Sequence, residues 1–333
     1  RFEDTIELAD DPDYDQTAFE GMLEIKGDSD HTKLIEMLDA LNDDTQKIDD
    51  VLDTYFDTEN LVYWMAFQIL TGNCDTQNRN CYLYSPLNSK VWYILDWDND
   101  GMLRKLELSL TGFSDYASWE RGVSNYWGNV LFNRALRSKS FRSELDRAVK
   151  DLRSYLTEER LGKMIKHYRE VTESLVFAAP DLENLPVTKD EYEQIAAAIP
   201  SEIEENYKSF RESHKKPMPF YIGVPQIDNG KLRINWDASY DFKARDIRYT
   251  VELARDYAIT DVIFKAEDVL LPEVTCDAPD TGQYFVRVRA TNSDGYTQDA
   301  FDYYVTDDGK QYGMKCFYVQ DGGKVVEDTY EEG

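Results

Sequence analysis

Ten consecutive residues, Leu61–Leu70 (LVYWMAFQIL), carry no charged side chain. A helix that is apolar on nearly every side belongs at the centre of its lobe, and its neighbours must pack around it. Asp57 and Thr58 are good N-caps for this helix, and Gly72 is its stop. The chain then runs through Asn73 and Asp75 to Asn80. Two strand-like stretches, Cys81–Ser85 and Val91–Leu95, lead to a carboxylate cluster of Asp96, Asp98 and Asp100. The buried helix therefore delivers the chain directly into a short segment dense in oxygen ligands.

Around this segment the periodicity predicts a helical body. Apolar residues at Leu34, Ile35, Met37, Leu38 and Leu41 give a helix over 31–41, and a second covers 46–55. Further helices are expected at about 129–135, 140–157, 158–177 and 189–215, the last interrupted near Pro200. Residues 1–30 are acidic and turn-rich, with a strand-like patch at Met22–Ile25. At Lys215-Lys216-Pro217-Met218-Pro219 the character changes. Beyond this stiff linker come short alternating stretches, LRINW, IRYTVELA, YFVRVRAT and DAFDYYV, separated by DNG, DTG and SDG turns. They read as a β-sandwich of immunoglobulin size. The end of the chain reads as one more hairpin, CFYVQ–DGGK–VVEDT. The expected fold class is α+β, with a helical domain and hairpin at 1–216, an all-β sandwich at 217–306 and a hairpin tail at 307–333.

Composition narrows the function. The 333 residues are 42% hydrophobic and 13% aromatic, enough for two folded domains. A formal charge of −28 argues against a nucleic-acid partner and against docking on anionic lipid. No apolar run is long enough to span a bilayer. The chain opens at Arg1 rather than Met, which reads as excision from a longer precursor. Cys74, Cys81, Cys276 and Cys316 lack zinc-ligand spacing and read as small buried residues; a Cys276–Cys316 bridge stays open. His31, His167 and His214 have no partners at ligand spacing.

An Asp followed five residues later by Asn, then a hairpin ending in Asp, is the layout of the protein-kinase phosphoryl-transfer centre. Gly72-Asn73-Cys74-Asp75, Asn80-Cys81-Tyr82-Leu83-Tyr84 and Trp97-Asp98-Asn99-Asp100 resemble the C-terminal lobe of the CotH family of spore-coat and secreted atypical protein kinases. Cys81 departs from the family's first aromatic strand position. The resemblance implies that Asp75 is the catalytic Asp, that Asn80 and Asp98 bind ATP through Mg²⁺ or Mn²⁺, and that Asp96 and Asp100 can add metal ligands. It implies transfer of the ATP γ-phosphate to a protein Ser/Thr hydroxyl, in an extracellular bacterial protein at the cell or spore surface. It also implies a nucleotide-roof lobe upstream of Arg1, since Lys26, Lys33 and Lys47 offer no credible phosphate-contacting lysine. Trp236 and the Gly282–Asn292 stretch resemble a fibronectin type III domain, which fits an extracellular location.

Other readings stand beside these. Asp96-x-Asp98-x-Asp100-Gly101 with Glu107 satisfies a calcium-loop pattern, so Ca²⁺ is the alternative ion. Asn73 and Asp75 could simply serve the turn at a helix end. Trp119, Trp127 and the tyrosines of 111–126 form either a substrate surface or a covering loop. The alternative function is a non-catalytic extracellular adhesion protein, its metal site structural and its β-module engaging a surface or matrix partner.

Overall fold

A computed structural model describes residues 15–21, 30–77, 79–112, 117–307 and 309–328. The strand-like patch at Met22–Ile25 lies outside them. Along the chain run α1 (Gln16–Gly21), α2 (Thr32–Asn42), α3 (Ile48–Tyr55), α4 (Thr58–Thr71), β1 (Cys81–Tyr84), β2 (Tyr93–Asp96) and α5 (Lys105–Leu110). Next come α6 (Val130–Arg137), α7 (Lys139–Tyr155), α8 (Glu158–Val176), α9 (Asp181–Asn184) and α10 (Lys189–Ser213). The β-rich part holds β3 (Gln226–Asp228), β4 (Lys231–Asn235), β5 (Ile247–Ala254), β6 (Val262–Val269), β7 (Glu273–Asp277) and β8 (Gly282–Asn292). It closes with β9 (Thr297–Asp299), β10 (Tyr303–Thr306), β11 (Gly309–Tyr312), β12 (Met314–Val319) and β13 (Val325–Glu327). The fold class is α+β. Two compact units divide the chain: Arg1–Phe67, Asn78–Asn99 and Asn129–Leu152 form the first, and Gln68–Gln77, Asp100–Gly128 and Arg153–Gly333 the second.

In the first unit, buried residues of α4 (Leu61, Val62, Trp64, Met65, Ala66) accompany Met37 and Leu41 of α2, Val51 and Leu52 of α3, Phe132 and Leu136 of α6, and Phe141 and Leu145 of α7. Trp64 stacks on Phe132 at 5.7 Å. Arg134 donates to the carbonyls of Ala40, Leu41 and Gln46. A guanidinium thus satisfies the carbonyls that the end of α2 leaves open.

In the second unit, α10 begins with a Thr188–Glu191 capping box. Contrary to the expected break, it continues through Pro200 to Ser213. Proline costs one backbone bond, and buried Ala196, Ile203, Asn206 and Phe210 hold the helix on both sides of that gap. The β-rich part holds two larger antiparallel sheets, β3-β4-β7 and β13-β12-β8-β5-β6 with β9 beside β8, and a two-stranded β10-β11 ribbon. The two larger sheets share a core of Phe220, Leu232, Ile234, Trp236, Tyr249, Val251, Tyr284, Val286 and Phe317. The expected DAFDYYV strand is broken between β9 and β10, where Ala300 and Phe301 turn inward. There Asp302 accepts Gly313 N–H and Met314 N–H on its carbonyl and Ile222 N–H on its carboxylate. The C-terminal hairpin forms as β12 and β13. Its strand β12 also pairs along β8 from Met314 to Val319.

The linker after α10 is fastened to the sandwich. Arg245 and Asn292 both donate to the Lys215 carbonyl, and buried Met218 exchanges bonds with Tyr240 and Ser239. Asp241 holds these donors: its buried carboxylate pairs with Arg245 at 2.9 Å and accepts from Asn292 at 2.9 Å. Burial pushes the Asp241 carboxyl up, but Arg245, Asn292 and the N–H groups of Lys243 and Arg245 together bring it below its ordinary value. A carboxyl lower in the folded than in the unfolded chain stabilises fully above the unfolded pKa of about 3.9 and loses that contribution as pH falls through the folded value. Urea titrations should therefore show wild-type stability falling more steeply than that of Asp241→Asn below about pH 4. Equal slopes would remove Asp241 from this role.

Candidate phosphoryl-transfer site

The Asp75 loop is built from the end of α4. Gly72 takes a left-handed φ of 67° and Asn73 N–H reaches back to the Gln68 carbonyl at 3.0 Å. This closes the helix as a Schellman-type cap. Asn73 is buried, and its side-chain oxygen accepts Asp75 N–H, starting a 3₁₀ turn over Cys74–Thr76. The capping role therefore falls to Asn73, and Asp75 is carried, half-buried, on the turn that it closes.

The turn is held from one side by a single segment. Arg121 donates to the Gly72 carbonyl at 2.8 Å and to Cys74 Sγ at 2.9 Å. Asn125 donates to the Cys74 carbonyl at 3.2 Å, and the Thr76 and Tyr126 hydroxyls lie 3.1 Å apart. Burial, opposed by Arg121, pushes the Cys74 thiol up to about 11, so it stays protonated and donates to the Glu120 carbonyl. On another side lies Gly101: a Cβ there would stand 2.9 Å from Asn73 Oδ1 and 3.7 Å from Asp75 Cβ. Leu103 N–H bonds the Thr71 carbonyl at 2.8 Å, and buried Glu202 accepts the N–H groups of Lys105 and Leu106. The segment carrying exposed Asp100 is thereby docked beside the Asp75 turn.

Asn80, Asp96 and Asp98 belong to the first unit. In the β1–β2 hairpin Cys81 pairs with Asp96 and Tyr84 with Tyr93. Asn80 thus precedes the first rung and Asp98 follows it by two residues, at the same end of the ladder. Both take left-handed backbone conformations, φ 56° and 53°, which Asn and Asp tolerate better than other non-glycine residues. The hairpin is clamped by Asn60, whose amide donates to the Ile94 carbonyl at 3.1 Å and accepts Ile94 N–H at 2.7 Å. Trp92 and Asp57 add backbone bonds at the start of α4. Trp97 lies edge-on to Tyr82 at 5.0 Å, and both rings are about half exposed.

Among the described residues, no three His, Cys, Asp or Glu side chains gather as a metal cage. The calcium-loop pattern needs Glu107 as a ligand, and Glu107 instead takes two bonds from Arg104, at 3.0 and 2.8 Å. A kinase-type site asks less, because Mg²⁺ takes one or two protein oxygens and fills its remaining positions from phosphate and water. Asn80 and Asp98 fit that demand. All four cysteines are free thiols, which leaves Cys276 and Cys316 unbridged. Of the lysines considered, Lys33 bonds the Pro86 carbonyl, Lys47 precedes α3, and Lys26 lies outside the described residues.

The tryptophans resolve as packing anchors. Trp119 Nε1 donates to the Ala300 carbonyl at 3.1 Å, with its ring against Phe301 and Tyr312. Trp127 stacks on Tyr240 at 5.3 Å. The supports that sequence reasoning missed are Asn60, Arg121, Asn125 and Glu202, whereas Asn73 serves the turn as its place after the helix suggested. The signal for Asn73 was local, a polar residue directly after a helix-stopping glycine; the other four had none.

A family model described as "CotH kinase protein" matches residues 1–210. No curated protein matches the chain. Among solved structures, the twitchin kinase region from C. elegans (Fn31-NL-kin-CRD-Ig26) is similar at 17% identity and a TM-score of 0.22. That alignment covers 28% of this chain and 20% of the twitchin chain. The match over 1–210 takes in Asp75, Asn80 and the acidic cluster and extends over more than half of the residues, and the chain belongs to the CotH kinase family.

Proposed function

We propose that the protein is a metal-dependent phosphotransferase that moves the γ-phosphate of ATP to a Ser or Thr hydroxyl of a protein. The observation that carries this reading is the hairpin register, which brings Asn80 and Asp98 to one end of one ladder in left-handed conformations. In this reading Asn80 and Asp98 would hold Mg²⁺ or Mn²⁺, and Asp96 and Asp100 are further candidate ligands. Asp75 orients the acceptor hydroxyl and takes its proton. An ion held by Asn80 and Asp98 would supply charge neutralisation to the phosphate oxygens. Little covalent chemistry is left for the protein, so the rigidity of the supports becomes the catalytic asset. Asn73, Arg121 and Asn125 supply it for the Asp75 turn, and Asn60 supplies it for the hairpin.

The β-rich part reads as a fibronectin type III-like docking arm, with 217–306 as its main span. Its strand order and the Tyr284 hydroxyl bonded back to the Asp280 carbonyl at 2.9 Å, as in a tyrosine corner, support that likeness. The family association suggests a place at the cell or spore surface. Among the described residues no helix is long and apolar enough to cross a membrane. Mg²⁺- or Mn²⁺-dependent transfer of label from ATP to protein, measured beside a variant lacking the Asp75 carboxylate, tests the proposal.

A further inference from the structure

Lys315 on β12 is largely closed off from water, and the chemistry proposed at Asp75 does not use it. It lies in the β8–β12 ladder opposite Val286, and its side chain is 14% exposed. Its Nζ stands 3.1 Å from Asp302 Oδ1 and also bonds Glu327 Oε1 of β13. The Asp302 side chain is 9% exposed, and its other oxygen, Oδ2, accepts Ile222 N–H at 2.7 Å. Two carboxyl groups thus share one amine in a site that admits little water.

As an ion pair this arrangement is unfavourable, because two carboxylates and one ammonium leave water with a net negative charge. Burial pushes the Asp302 carboxyl above its ordinary value, against the pull of Lys315 and the Ile222 N–H. Burial also pushes Lys315 down, but Asp302 and Glu327 outweigh it and hold the ammonium. An amide between Nζ and the Asp302 carboxyl would remove one charge of each sign from the interior. The backbone fixes both partners for that reaction. Asp302 directly precedes β10, Lys315 is the second residue of β12, and the Asp302 carbonyl accepts Gly313 N–H at 2.7 Å and Met314 N–H at 3.2 Å. Groups held in contact and well oriented react at effective concentrations on the order of 10⁵–10⁸ M.

We propose that Lys315 Nζ and Asp302 Cγ close a side-chain amide, an isopeptide bond, with Glu327 as the proton carrier. Glu327 takes one proton from the ammonium and passes it to Oδ1, which leaves a neutral amine beside a neutral carboxyl. The Nζ lone pair attacks Cγ, the Cγ–Oδ2 π pair moves onto Oδ2, and the Ile222 N–H faces the charge that develops there. Glu327 then carries a second nitrogen proton to Oδ1, the Cγ–Oδ1 bond breaks, and one water leaves as the carbonyl re-forms. Nothing is oxidised or reduced, and no co-reactant is consumed. The bond closes residues 302–315 into a ring containing the β10–β11 ribbon, a covalent lock in a chain whose four cysteines are free.

Intact-mass measurement on the folded, purified chain after denaturation is expected to find it lighter than its sequence by one water. Trypsin should then release a branched peptide joining residues 290–310 to 311–324, because acylated Lys315 is no longer a cleavage site. Lys315→Arg keeps the positive charge but cannot form the bond, and Glu327→Gln keeps the shape but cannot carry the proton. Both variants should show their full calculated mass. A wild-type chain at full mass, cleaved normally after Lys315, is an ordinary ion pair and overturns the proposal. So does a water lost equally from Lys315→Arg, which places the dehydration elsewhere. A branched peptide at wild-type yield in Glu327→Gln overturns the role given to Glu327.

Discussion

Asp98→Asn is expected to lower metal-dependent phosphoryl transfer by a factor on the order of 10²–10³, the usual cost of losing one group aimed at developing charge. Stability should stay within about 0.5 kcal/mol of wild type, because Asp98 is exposed and lies outside the ladder. Its left-handed φ of 53° supports the choice of Asn as the replacement, since Asn tolerates that conformation as Asp does. The substitution therefore removes negative charge with the hairpin intact. Initial rates in Mg²⁺ and Mn²⁺ beside a denaturant titration read both quantities. Wild-type turnover in this variant would remove Asp98 from the metal site and leave the hairpin as scaffolding.

The second large effect is on stability. Trp236 is 4% exposed, lies edge-on to Tyr249 at 5.2 Å, and belongs to the core shared by the two sheets. Trp236→Ala should cost about 3–5 kcal/mol, the range for deleting a buried aromatic. The consequence reaches beyond the β-rich part. Trp119 bonds the Ala300 carbonyl and Trp127 stacks on Tyr240, and the segment between them carries Arg121, Asn125 and Tyr126, which hold the Asp75 turn. Loosening the sandwich should loosen that segment as well. Urea unfolding followed by sheet circular dichroism and by enzymatic activity is expected to show both signals lost together, at a lower midpoint than wild type. Activity that survives unfolding of the sandwich would show that the Asp75 turn does not depend on these anchors.

The central helix and its stop were legible because an uncharged apolar run followed by glycine has few alternatives. The hairpin was legible from two short apolar stretches, with its ends misplaced: Ser85 lies outside the ladder, which runs from Cys81 to Tyr84 and from Tyr93 to Asp96. Val91 and Trp92 are not part of the ladder, since Trp92 spends its backbone bonds on Tyr55 and Asp57 at the foot of α4. The continuation of α10 through Pro200 was hidden because local propensity argues for a break, and tertiary burial on both sides overrides it. The supports of the Asp75 turn were invisible for a different reason. Arg121 and Glu202 act through bonds to distant backbone groups, 49 and 96–97 residues away in sequence, and such bonds leave no periodic trace. Trp119 was ambiguous because its partner, the Ala300 carbonyl, lies 181 residues further on.

The most direct test is protein labelling from γ-labelled ATP in Mg²⁺ or Mn²⁺, with Asp75→Ala as control. Asp75 is half-buried on a turn closed by Asn73, so its removal should leave that turn in place. The account predicts label on protein Ser or Thr with the wild type, dependent on the metal, and its loss in the control. Absence of label under all conditions, or label that Asp75→Ala leaves unchanged, would contradict it.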